Sequence, residues 1–228
     1  MLNLTKSSNT RSISISVGLA TGLYGISFGA LSSAAGLDIW QTMALSLLMF
    51  SGGSQFAFVG VIASGGSSAI PGAIASSWLL GVRNGFYAVR MAPTLNAKGA
   101  MKLIAAEVTI DESTAVALSR ETESEMKKGF WWTGASVYVF WNTLTLVGAL
   151  LGEQLGDPGR WGLDAAAAAA FVGLVWPRLV DLASRSLAAV SIFVAVAVSP
   201  FVPAGVPVLL SGLVGVVFGF AVREKAAT

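Results

Sequence analysis

Cysteine and histidine are both missing from the 228 residues. Their absence removes disulfide staples, Cys or His metal sites, Cys and Ser-His nucleophiles, and imidazole proton relays. Proton chemistry therefore falls to carboxylates, Lys, Arg or Tyr. Charge is scarce too: 11% of residues are charged, where a soluble domain has about a quarter. No G-x-x-x-x-G-K-[ST] run is present, so energy from ATP would have to come from another chain. The 14 Lys and Arg lie scattered in short segments, a pattern that sets topology and does not form a nucleic-acid face.

What is present is apolar, 54% of the chain, arranged in repeated charge-free windows near the roughly 20 residues needed to cross a bilayer. The fold class is all-α, a polytopic integral membrane protein with seven or eight transmembrane helices and at least one broken or re-entrant helix. Residues 1–228 read as a single transmembrane domain, with pseudo-halves 13–118 and 129–222 joined by the polar loop 119–128. The first stretch, Ile13 to Leu31, has signal-peptide features but is long, Gly-rich and followed by further spans, so it reads as a retained helix. Further runs cover Thr42 to Ala63, Ile70 to Arg90, Met101 to Leu118, Gly129 to Gly152, Ala165 to Pro177, Ser186 to Val202 and Pro207 to Val222. Short, Pro-interrupted runs of this kind suit discontinuous helices. Eight spans place both termini in the cytoplasm but leave Arg90, Lys98 and Lys102 outside, against the charge rule. A re-entrant second span, giving seven, is the alternative.

Polar residues inside these runs are the candidate functional groups. Phe50-Ser51-Gly52-Gly53-Ser54-Gln55-Phe56 interrupts the second run with two glycines, two serines and an amide. It reads either as a binding break or as small-residue packing. Arg83 and Asn84, with Tyr87, sit in the third run; Arg83 is either a snorkelling cation near the helix end or a buried cation facing an anion. Glu107, Asp111 and Glu112 interrupt the fourth, where the four-residue spacing puts Glu107 and Asp111 on one helix face. Asn142 lies deep in the fifth, as packing glue or site member. Trp131 and Trp132 beside Lys127 and Lys128 fit an interfacial aromatic belt. Asp181, beside Arg178 and Arg185, reads as a helix-end salt link.

Taken in order, these motifs resemble the AzlC family of branched-chain amino-acid exporters. The resemblance rests on Gly25-Ile26-Ser27-Phe28-Gly29, the Phe50–Phe56 stretch, Arg83-Asn84 with Tyr87, Asp111-Glu112, Trp132-Thr133-Gly134 with Trp141-Asn142, and Leu163-Asp164-Ala165 through Phe171 and Pro177. Leu23-Tyr24 stands where family members often carry a proline, and Asn84 where a histidine is frequent. The resemblance implies export of valine, leucine and isoleucine, with methionine as a further candidate, across the bacterial inner membrane. It also implies a small hydrophobic AzlD-type partner subunit.

On this reading Ser51, Gly52, Gly53, Ser54 and Gln55 hold the amino-acid zwitterion at the ends of two half-helices, while Phe50, Phe56 and Phe58 supply the apolar pocket. Arg83 pairs with Asp111 or Glu107, and Asp111 and Glu112 lead as proton carriers. No cofactor, metal, nucleic acid or enzymatic step is expected; the partners are the amino acid, the small subunit and the lipid bilayer. The competing readings are a passive channel or facilitator for small hydrophobic solutes and a non-transporting structural subunit.

Overall fold

Inside a bilayer a chain satisfies its backbone by folding helically, and the apolar runs do so. The computed structural model describes residues 10–154, 172, 173, 175, 176 and 179–227, with side chains through residue 220. The helices are α1 (Thr10–Ala34), α2 (Ile39–Leu48), α3 (Gly53–Gly65), α4 (Ile70–Leu95), α5 (Met101–Glu107), α6 (Asp111–Leu118), α7 (Glu123–Gln154), α8 (Leu182–Val198) and α9 (Val206–Ala227). Among the described residues there is no strand. The chain is an all-α polytopic membrane protein, and α1, the α3–α4 run, α7 and the run Leu182–Phe201 are each long and apolar enough to cross.

The frame is a parallel pair, α1 and α7. Thr10 Oγ1 donates to Glu125 at one end, Ser14 meets Thr133 one turn deeper, and Ser33 Oγ donates to the Ala149 carbonyl at the other end. Small residues permit the close approach. A Cβ on Gly29 would collide with the Thr145 carbonyl, and one on Gly148 with the Ile26 carbonyl. At 25 residues, α1 is about 37 Å long, more than the roughly 30 Å of hydrocarbon. We call the two ends of this frame the Arg11 end and the Asp38 end.

Two segments between α1 and α7 do not cross. The α2 and α3 helices have 10 and 13 residues, about 15 and 20 Å each, half a bilayer apiece. Both are anchored at the Asp38 end: Ala35 and Leu37, before α2, pack with Val61, Ile62 and Ala69 around the end of α3. Segment 39–65 is thus a re-entrant hairpin whose tip, 49–52, lies at mid-depth beside Tyr138 and Trp141. The α5 and α6 helices, of 7 and 8 residues, form the counterpart from the Arg11 end. Ala105 and Ala117 pack there with Met91 of α4 and Phe130 of α7, and the tip, 108–110, points inward. Between them α4 runs from the Asp38 end to the Arg11 end.

This arrangement decides the topology that charge alone left open. With both broken segments turning back, Arg11, Arg90, Lys98, Lys102, Arg120, Lys127 and Lys128 share one end, and Asp38 and Glu153 lie at the other. The α9 helix runs parallel to α4, since Ser76 contacts the Gly205 carbonyl and Leu79 faces Gly212. The α8 helix is antiparallel to α9 through Ser211 and the Ser191 carbonyl, so Arg185 also falls at the Arg11 end. Asp181 differs from its expected salt link: it is the N-cap of α8. Its Oδ1 accepts the Ser184 amide at 2.7 Å, while Arg185 donates to the Leu179 and Val180 carbonyls. That backbone bond holds the Asp181 carboxyl below its ordinary range. The polar stretch 119–128 is mostly the first turn of α7, and the expected run Ala165 to Pro177 lies almost entirely outside the described residues.

Because the chain has no native cysteine, single cysteines map this topology cleanly. Lys98→Cys and Arg120→Cys should label from one side of a sealed vesicle with an impermeant maleimide and Asp38→Cys from the other; Lys98→Cys and Asp38→Cys on one side would overturn the double hairpin. Gly29→Leu should cost about 1–3 kcal/mol or more through overpacking, read as a lowered melting temperature in detergent. Leu19→Ala, on the exposed face of α1, should leave it near wild type.

Candidate functional site

Both hairpin tips interrupt a helix, so both leave backbone groups that lipid cannot satisfy. In the first tip α2 stops at Leu48, and Gly52 takes φ +36°, a value that favours glycine, before α3 starts at Gly53. Gln55 Nε2 reaches across the break to the Leu45 carbonyl at 3.0 Å. Tyr138 Oη donates to the Leu47 carbonyl at 3.3 Å. Ser51 Oγ and Ser54 Oγ meet at 3.1 Å, and Ser77 of α4 donates to the Ser54 carbonyl. In the second tip Ser113 does the equivalent work: its Oγ donates to the Val108 carbonyl at 2.6 Å and accepts the Ile110 amide at 3.1 Å.

Helix α4 joins the two tips. Arg83 lies 12 residues from the C-terminal end of α4 at Leu95, about 18 Å along the axis. It is therefore central in the span and not a snorkelling arginine near its end. Its Nη2 lies 3.2 Å from Asp111 Oδ2 in the second hairpin and 3.4 Å from the Ser51 carbonyl in the first. Asn84 Nδ2 donates to Ser51 Oγ at 3.2 Å. Gly53 makes room for this: a Cβ there would sit 3.2 Å from Arg83 Nη2. Glu107 and Asp111, expected on one helix face, instead end α5 and begin α6, because the 108–110 break separates them.

Two cavities flank the first tip. One of about 260 Å³ is lined by Phe50–Gly53 and Phe56, Arg83 and Asn84, and Ile110–Glu112. Trp141, Val137, Thr21 and Tyr24 close its α1–α7 side. The N-termini of α3 and α6 both face this cavity, adding two positive dipole ends to the guanidinium. Its apolar wall is an aromatic cluster: Phe28 stacks on Trp141 at 6.0 Å, and Phe56 meets both edge-on. The second cavity, about 450 Å³, takes Glu107, Ser54 and Ser77. Phe50, Ser51 and Asn84 line both, so the first tip is the wall between them. A larger cavity of about 620 Å³ opens between α2 and α3. It is apolar apart from Gln41 and Ser67 and holds no charge, so size alone does not make it the site.

The expected residues therefore separate. Phe50, Ser51, Gly52, Gly53, Phe56, Arg83, Asn84, Asp111 and Glu112 come together on the 260 Å³ cavity. Ser54 and Glu107 face the other one. Phe58 lines the large apolar cavity, since two residues along a helix turn through about 200°. Gln55 is fully buried and lines none of the three, serving as a strut across the break. Asn142 is buried behind the wall and donates to the Tyr138 carbonyl at 2.8 Å. Trp141, Val137, Thr21 and Tyr24 were not singled out as site residues. The signal for Trp141 was its depth in the fifth run, away from either interface where tryptophan usually sits.

The AzlC protein family model matches residues 16–155, well over half the chain. No curated protein and no solved structure matches it. The matched stretch takes in both re-entrant hairpins, the α4 helix that ties their tips and all but the start of the α1–α7 frame, and the chain belongs to the AzlC family, with a membrane transport-related role.

Proposed function

We propose that the chain is a secondary carrier that exports branched-chain amino acids, working beside a small AzlD-type membrane subunit in the bacterial inner membrane. The Arg11 end, which collects the basic residues, faces the cytoplasm on the positive-inside rule. The observation that carries this reading is the Arg83–Asp111 pair in a mid-membrane cavity that combines two half-helix N-termini with an aromatic wall.

A zwitterion can enter that pair without leaving a charge alone. Its carboxylate takes the guanidinium and the α3 and α6 N-termini, and its ammonium takes Asp111, so one ion pair is exchanged for two. An unpaired charge at this depth would cost on the order of 3 kcal/mol on insertion scales. The branched side chain then lies against Phe50, Phe56 and Trp141. At about 260 Å³ the cavity is below the roughly 300–1,000 Å³ typical of drug-sized sites, which suits one small amino acid. Inserting the substrate also parts Arg83 from Asp111, the contact that ties the hairpins together. Hairpins entering from opposite ends can then open one side at a time, as alternating access requires.

In proteoliposomes the wild-type protein, with its small partner, should show counterflow of labelled valine, which a passive channel cannot. Arg83→Gln and Gly53→Leu should each lower it at least tenfold, about 1.4 kcal/mol, while Phe58→Ala should keep it near wild type. Undiminished counterflow in both site variants would refute the assignment of this cavity.

A further inference from the structure

We propose that Trp141 sets the upper size of the side chain the site accepts, admitting branched aliphatic amino acids and excluding aromatic ones; this rests on the carrier reading above. The 260 Å³ cavity has a charged side, formed by Arg83 and Asp111, and an apolar side on which Phe50, Phe56 and Trp141 stand. A zwitterion held at the charged side sends its side chain toward those three rings. Whichever ring cannot yield decides how large that side chain can be.

Two of the three rings belong to the first hairpin. Phe50 lies in its tip, where the ring meets Tyr138 edge-on at 5.0 Å, and Phe56 stands in the first turn of α3. Trp141 comes from α7 instead, which glycines lock against α1, so it does not shift with the hairpin. Its ring is held from two sides, stacked on Phe28 at 6.0 Å and met edge-on by Phe56 at 6.2 Å. Phe28 behind it is fully buried, and in close packing the indole has no room to swing back.

The far end of the indole reaches the tip itself. A Cβ on Gly52 would stand 3.9 Å from Trp141 Cη2, an ordinary contact. At that point the cavity is bounded by bare backbone on one side and a fixed ring on the other, and a shorter ring would leave the space open. The indole nitrogen does not explain the choice of residue. Nε1 is buried without a hydrogen-bond partner, whereas a buried tryptophan usually finds one. The unpaired N–H is a cost that phenylalanine would avoid; what tryptophan adds is reach. A phenyl ring on the substrate would have to push into this packed wall, which destabilises as overpacking does in any core. A single methylene in an apolar pocket discriminates roughly 10–200-fold, so the extra carbons of a phenyl ring suffice for exclusion.

Counterflow in the reconstituted protein, with its small partner, tests this. The wild type should exchange labelled valine and leucine, and labelled phenylalanine at least about tenfold more slowly. Trp141→Leu should raise phenylalanine counterflow about tenfold or more and lower that of valine, because the enlarged space no longer holds the smaller side chain. Trp141→Phe, which keeps a ring but withdraws its far end from Gly52, should show the same change to a smaller extent and serves where Trp141→Leu does not fold. A gain for the larger substrate is a readout that a merely structural role would not move. Absence of valine counterflow in the wild type would end the carrier reading itself. Phenylalanine exchanged by the wild type as fast as valine would overturn the size limit alone. A phenylalanine-to-valine ratio unchanged from wild type in the folded variants would overturn the assignment to Trp141.

Discussion

A helix that stops in the middle of a bilayer must find partners for the amides and carbonyls it frees, and this one requirement explains most of the polar residues in the chain. Each break is closed from within its own hairpin. Gln55 and Ser54 knit the first, and Ser113 knits the second. Tyr138 and Ser77 add support from the neighbouring long helices. The charged groups share in this work, since Arg83 reaches the Ser51 carbonyl of the first break and Asp111 and Glu112 stand in the first turn of α6.

The chain order reveals an inverted repeat. A long helix followed by a hairpin, α1 with 39–65, is succeeded by a second such unit, α4 with 101–118, of opposite orientation. Each hairpin is rooted at the end its own long helix has just reached, so their tips approach one another from opposite faces. Repeats of this kind commonly build a site at the midplane with two equivalent ways of opening it. The α1–α7 frame, locked by glycines at its crossing, supplies the fixed surface against which the tips can shift.

Much of this was legible in the sequence and some was not. The glycine-serine break stood out because polar residues interrupted an apolar run, and Arg83 and Asp111 stood out because charge at that depth needs a partner. The direction of the hairpin did not. Ten residues, a short break and thirteen more add up to an ordinary span, and hydropathy cannot tell a crossing from a return. The misplaced Lys98 and Lys102 were the sign, and they come into register only when both segments turn back. The second break was hidden because Val108, Thr109 and Ile110 carry no glycine or proline to announce it. Gln55 shows the remaining limit: an amide in a break can bind a solute or bind the backbone, and only the Leu45 carbonyl at 3.0 Å decides between them.

The wall shared by the two cavities gives the site its mechanical character. Phe50, Ser51 and Asn84 face both spaces, so a movement of the first tip that enlarges one must shrink the other. Arg83 anchors that wall, reaching the Ser51 carbonyl of the first tip and Asp111 of the second hairpin. Asn84, where a histidine is frequent in the resembling family, cannot titrate; it donates to Ser51 Oγ and keeps the wall aligned.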